Sequence, residues 1–170
     1  MGTRSLTRVI PRQEGVAYNK GHEMVKKSII NMYQQYDGYP SNVGVKLAEF
    51  VKPIKTINGI SGSVKIGEYA NGPECLAAQI VQRFKIDVGY TYLQTCDGEL
   101  GDSGEEWIYT LYPKYGEPTY ISIYDVWEKK VVFVGTPDQL IKKYKFPDEE
   151  DKKVKSNTFP ESHSPFVDNN

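Results

Sequence analysis

The apolar period of this chain changes near Gly89. Before Gly89 two stretches repeat apolar residues at helical spacing; after it the period is two. Val43, Leu47, Phe50, Val51 and Ile54 form one stripe at i, i+4, i+7, i+8 and i+11, in a helix expected to start at Ser41 as N-cap. Leu76, Ile80 and Phe84 form a second stripe, with Ala77, Ala78 and Val81 beside it, opened by Asn71-Gly72-Pro73. Residues 90–95, 106–112, 120–127 and 130–134 then read as four strands. Thr136-Pro137-Asp138 opens a short third helix reaching Tyr144. Ahead of the helices, residues 3–10 and 28–36 read as two more strands, and residues 56–68, rich in Gly and Ser, read as a connection. This order predicts an α+β fold: a mostly antiparallel sheet of five to six strands, with two main helices on one face and a short third helix. Residues 1–146 are expected to form a single domain. Residues 147–170 are charged and polar with little apolar period, and are expected to be a flexible tail.

On the sheet, alternation places Ile108, Ile121 and Ile123 toward the helices and Trp107, Tyr109, Tyr120 and Tyr124 away from them. Tyr33 and Gln35 alternate with the second set. An aromatic outer face of this kind suits a ligand platform or a protein interface, and a one-residue slip would exchange the two faces.

Composition excludes several functions. Twenty-one basic residues against 22 acidic ones give no basic stripe for duplex nucleic acid. No segment holds the roughly 20 apolar residues of a membrane span, and no apolar signal region opens the chain, so a cytoplasmic location is expected. The only histidines are His22 and His163, too few for a multi-histidine metal site. No phosphate-loop or dinucleotide fingerprint occurs, and no cofactor is expected. Cys75 and Cys96 read as separate reduced thiols. Residues 97–104 are acidic and glycine-rich, but lack the residue order of a calcium loop.

Thirteen tyrosines are the compositional excess, and they concentrate chemistry at Tyr36-Asp37-Gly38-Tyr39-Pro40. A plain turn explains the Gly and the Pro. The two rings and the carboxylate add stacking and hydrogen-bonding groups that a turn does not require. In a binding site Tyr36 and Tyr39 would stack on a flat group. Gln35, Asp37 and Asn42 would hydrogen-bond, backbone N–H groups near Asn42 would face an anion, and Arg4 would meet a phosphate. Trp107 and Tyr109 would extend the aromatic surface. Gly104-Glu105-Glu106-Trp107 pairs two carboxylates, which adjacent strand positions aim at opposite faces, so they read first as solvated charges. A hydrolase using Asp37 with Glu105 or Glu106 is the enzymatic alternative. An inhibitor or adaptor docking through the tyrosine face is the interaction alternative.

Three blocks carry a resemblance: Met1-Gly2-Thr3-Arg4-Ser5-Leu6-Thr7; Met32-Tyr33-Gln34-Gln35-Tyr36-Asp37-Gly38-Tyr39-Pro40 running into Leu47-Ala48-Glu49-Phe50; and Cys75-Leu76-Ala77-Ala78-Gln79 followed by Gly104-Glu105-Glu106-Trp107-Ile108-Tyr109. Over residues 1–112 the chain resembles a phage-encoded family of small proteins, and through it is similar to anti-CBASS sponge proteins of the fourth type. The resemblance implies a homo-oligomer in the infected host cell that binds and sequesters a cyclic di- or trinucleotide immune signal without cleaving it, with no catalytic residues. Members read Gly-His after the Pro-Ser or Pro-Glu step. This chain has Asn42-Val43 there, which puts its ligand specificity in doubt.

Overall fold

A computed structural model describes residues 2–146, apart from Val16, Ser61, Ser63 and residues 98–102. The expected tail, 147–170, and most of the acidic glycine loop lie outside the described residues. The elements run β1 (Ser5–Val9), β2 (Ile30–Gln34), α1 (Val45–Val51), β3 (Lys55–Ile57), β4 (Tyr69–Asn71), α2 (Gly72–Phe84), β5 (Thr91–Gln94), β6 (Trp107–Lys114), β7 (Glu117–Asp125), β8 (Lys130–Gly135) and α3 (Pro137–Tyr144). Six strands form one sheet in the order β5-β2-β1-β6-β7-β8. Every pairing in it is antiparallel except β1 with β6. The fold is α+β, with a mostly antiparallel sheet.

Packing rather than propensity holds the helices. At seven residues α1 is far below the length at which a helix persists alone. Val43, Leu47 and Val51 are buried along its stripe, and Leu76 and Ile80 meet them from α2. Full burial contributes about 1.5–3 kcal/mol for each such side chain. Ala78, expected beside the stripe, is exposed on the outer side of α2. Thr136 caps α3, as its sequence predicts, and the structure adds a reciprocal capping box with Gln139. Ser41 does not cap α1: Pro40–Gly44 is a π-helical turn leading into it, and Tyr39 holds the cap position without a side-chain bond. The 56–68 connection hides half of a second sheet, in which β3 pairs with β4 in parallel over three residues.

The faces of β6 are the reverse of the expectation. Tyr109 pairs with Ile123 and Leu111 with Ile121, and all four are buried on the helix side. Trp107 follows the same alternation and is partly buried against that core. Ile108 lies on the opposite face, paired with Leu6 and Tyr124. Alternation misleads here because both faces of this central strand are covered, so Ile108 and Tyr109 are each 0% exposed.

The second cover is the segment between β1 and β2. Tyr18 packs on the rings of Tyr112 and Tyr120, with centroids 5.1 and 5.5 Å away. His22 stacks on Tyr124 at 3.7 Å. Gly21 approaches so closely that a Cβ would lie 2.0 Å from the Tyr112 hydroxyl oxygen. Arg8 is buried beneath this segment, donating from Nε to Asn31 Oδ1 (3.1 Å) and from Nη1 to the His22 carbonyl (2.7 Å). Burial lowers its pKa, and the nearby charge of Glu105 opposes that. The tyrosine face is therefore closed over part of its area by the chain itself, while Tyr92, paired with Tyr33 on the same face, stays exposed.

Burial also holds the pKa of His22 below its ordinary value; Glu23 opposes this, while Arg8 and Lys20 reinforce it. The folded protein thus binds this proton more weakly than the unfolded chain does. As pH falls through about 6.5 the unfolded chain gains the proton first, so folding stability declines from there downward. The melting temperature is expected to fall between pH 7 and pH 5, and His22→Gln to flatten that decline. Identical pH profiles for the two proteins would contradict this role of His22.

Candidate functional site

The turn after β2 is bolted to the sheet by its backbone. Asp37 adopts φ +56°, a left-handed conformation that Asp tolerates better than most residues. The Gly38 N–H donates to the Thr3 carbonyl (2.9 Å), and the buried Tyr109 hydroxyl donates to the Gly38 carbonyl (2.6 Å). A Cβ on Gly38 would lie 2.8 Å from Ser5 Cβ and 2.9 Å from the Arg4 carbonyl carbon, so the glycine is required by contact. Burial raises the Tyr109 pKa well above that of an ordinary phenol, which keeps the hydroxyl a donor.

These bolts leave the turn's side chains outside. Tyr36 and Tyr39 are 47% and 40% exposed. Tyr39 donates to Asp37 Oδ1 (3.2 Å), and the Asp37 charge, then this hydrogen bond, raise the Tyr39 pKa. Tyr36 stacks on Tyr90, with centroids 6.3 Å apart and planes at 30°. Burial, then Asp37, raises the Tyr90 pKa. The Gln35 N–H donates to the Tyr90 carbonyl, so backbone and rings both join the turn to Tyr90.

Tyr90 is in turn one wall of a cleft of about 380 Å³ between the two helices. That volume lies within the roughly 300–1,000 Å³ of small-molecule sites. α1 and the residue after its last turn supply Lys46, Glu49, Phe50 and Pro53; the end of α2 supplies Arg83 and Phe84; Gly67 and Ile86 complete the lining. Glu49 is engaged by Lys145 at 2.8 Å. Neither Lys46 nor Arg83 has an ion-pair or hydrogen-bond partner among the described residues. Lys85 donates to the carbonyls of Val88 (3.0 Å) and Thr91 (2.8 Å), which fixes the loop that presents Tyr90. The cleft thus combines two uncommitted cations with Phe50, Phe84 and Tyr90, a combination suited to a planar anion.

The residues expected from sequence divide accordingly. Gln35 and Tyr36 adjoin the cleft through Tyr90, and Asp37 and Tyr39 are bonded to each other in the same turn. Asn42 is half-buried in the π turn, and its N–H is taken by the Tyr39 carbonyl (3.0 Å), so it does not face an anion. Arg4 is half-buried, with its guanidinium against Gly104. Trp107 and Tyr109 belong to the core rather than to an outer aromatic surface, a correction that follows from the register of β6. Glu105 is 3% exposed near Arg8, its carboxylate accepting from the Ser103 N–H (3.2 Å), and it is absent from the cleft lining. Among the described residues no three His, Cys, Asp or Glu side chains converge as a metal site would need, and no helix is long and apolar enough to cross a membrane. Sequence reasoning missed Lys46, Arg83 and Tyr90. The sole signal was indirect: Lys46 and Arg83 flank the two apolar stripes that share one sheet face.

No family model, curated protein or solved structure matches this chain.

The bolts of the turn are testable. Tyr109→Phe leaves the Gly38 carbonyl unsatisfied and is expected to cost about 1–3 kcal/mol in urea unfolding. Gly38→Ala is expected to destabilise as well, by forcing β1 and the turn apart. Wild-type stability in both variants would show that the turn is not held this way.

Proposed function

We propose that this protein binds a small planar anion of the nucleotide type in the cleft between α1 and α2 and holds it without cleaving it. One observation carries this reading: Lys46 and Arg83, without ion partners, share a cleft with three aromatic rings. The cations meet phosphate, and Phe50, Phe84 and Tyr90 take a base by stacking. The cleft has room for one base-and-phosphate unit. A cyclic di- or trinucleotide would extend from it along Tyr36, whose exposed ring stacks on Tyr90, toward the exposed Tyr39 of the same turn. Sequestration of such an immune signal by a homo-oligomeric phage counter-defence protein is the specific form of this reading that the resemblance implies. A binding role is favoured over hydrolysis because the acid in the cleft, Glu49, is tied to Lys145, and Asp37 is tied to Tyr39.

A thermal-shift panel of cyclic di- and trinucleotides tests the proposal. A ligand present at roughly 100 times its Kd adds about 2.7 kcal/mol, which raises the melting temperature by roughly 5–10 °C for a chain of this size. Lys46→Ala with Arg83→Ala is expected to abolish that shift, and the ligand is expected to be recovered intact after heating. No shift with any member of the panel would overturn the proposal, and recovery of a cleaved product would replace binding with hydrolysis.

A further inference from the structure

Tyr90 occupies a backbone position that suits glycine. Its φ is +69°, and the Thr91 N–H donates to the Gly89 carbonyl (2.8 Å). Residues 89–91 thus make a γ-turn of positive φ, the rare and strained form of that turn. Two other non-glycine residues among those described have a positive φ. Asp37 is of a type that tolerates it, and Lys129 is exposed in the turn between β7 and β8. A bulky aromatic residue is a true outlier there. Gly89, one position earlier, makes no use of its own freedom. Its φ lies outside the left-handed region, and a Cβ on it would meet only Tyr92 Oη, at 3.5 Å. The backbone would be better served with the two residue types exchanged.

The surroundings hold the turn in this shape. Lys85 Nζ donates to the carbonyls of Val88 (3.0 Å), Gly89 (3.3 Å) and Thr91 (2.8 Å). The Thr91 hydroxyl donates to the Phe84 carbonyl (2.9 Å), and the Gln35 N–H donates to the Tyr90 carbonyl (3.0 Å). None of these bonds involves the Tyr90 side chain, so they would serve any residue at position 90. The tyrosine adds a half-buried ring that lines the cleft and is stacked by Tyr36. Phe50 and Phe84, the other two rings of the cleft, pack against or within the core, and Tyr90 lies outside it. Backbone strain that its surroundings over-determine clusters at ligand-binding positions.

We propose that Tyr90 makes the cleft selective for a phosphate carried on a flat aromatic base over a phosphate carried on a non-aromatic group, and that the strained turn fixes its ring for that purpose. This rests on the nucleotide-binding reading above. Lys46 and Arg83 meet a phosphate whatever bears it, so the choice between bearers falls to the ring that the core does not use. Stacking of a base on an aromatic side chain is strong enough to carry that choice.

Calorimetry with 3′,3′-cyclic di-AMP and with ribose 5-phosphate tests this role, using the full chain as wild type, Tyr90→Phe, Tyr90→Gly and Tyr90→Ala. Tyr90→Phe is expected to keep wild-type affinity for both probes. Tyr90→Gly and Tyr90→Ala are expected to bind cyclic di-AMP at least tenfold more weakly and ribose 5-phosphate as the wild type does. Of the free proteins, Tyr90→Gly is expected to melt above Tyr90→Ala, the reverse of the order at a position of negative φ. Wild-type affinity of Tyr90→Gly for cyclic di-AMP would overturn the role of Tyr90 and leave the cleft reading intact. An equal loss of both probes would overturn it too, because the ring would then shape the cleft rather than select its ligand. Tyr90→Ala melting at or above Tyr90→Gly would overturn the strain at this position. Failure of the wild type to bind either probe would overturn the cleft reading itself, and this inference with it.

Discussion

The backbone of Gly38 rests directly on β1, and much of the molecule is arranged around that contact. There is no room for a Cβ between Gly38 and Ser5, so the backbone of the turn packs directly on the sheet. The Tyr109 hydroxyl then ties the Gly38 carbonyl to the middle of the sheet. Its ring also supports the start of α1: a Cβ on Gly44 would lie 3.1 Å from Tyr109 Cε1. Because α1 is too short to stand alone, its position is inherited from these anchors and from its buried stripe. The cleft is bounded by α1, so its shape is inherited from the same contact.

The sheet divides the labour between its faces. On one side the segment between β1 and β2 closes over tyrosines, with Arg8 buried beneath it as a hydrogen-bonded cation. On the other side the helices leave a groove between their polar flanks. The aromatic residues thus separate into two populations. Tyr18, Tyr112, Tyr120 and Tyr124 serve packing, while Tyr90 lines the groove and Tyr36 stacks on it. The proposed function uses the second population alone.

Much of this architecture was legible in the sequence, for physical reasons that differ by element. The stripes of both helices, the Thr136 start of α3 and the alternation of β7 each express one local rule, and each holds. β6 was misread because a strand buried on both faces carries no alternating signal, and Trp107 through Tyr112 is apolar or aromatic at nearly every step. The β3–β4 pair was missed because three-residue parallel strands set amid Gly and Ser show no period. Tyr36–Pro40 was legible as a turn with surplus chemistry, and its exposed rings keep that chemistry available. The cleft was not legible. Which polar residues of two helices face each other depends on their relative rotation, which is set by long-range packing, so Lys46 and Arg83 looked like ordinary solvated positions.

The central claim is that the groove between α1 and α2, with Tyr90 as its wall, is where a nucleotide-type anion is held. Mapping amide chemical shifts during titration with 3′,3′-cyclic di-AMP tests it most directly. The account predicts that the largest changes fall on Lys46, Phe50, Arg83, Phe84 and Tyr90, continuing to Tyr36 and Tyr39. Changes centred instead on Tyr18, His22 and Tyr124, across the sheet from the groove, would contradict it.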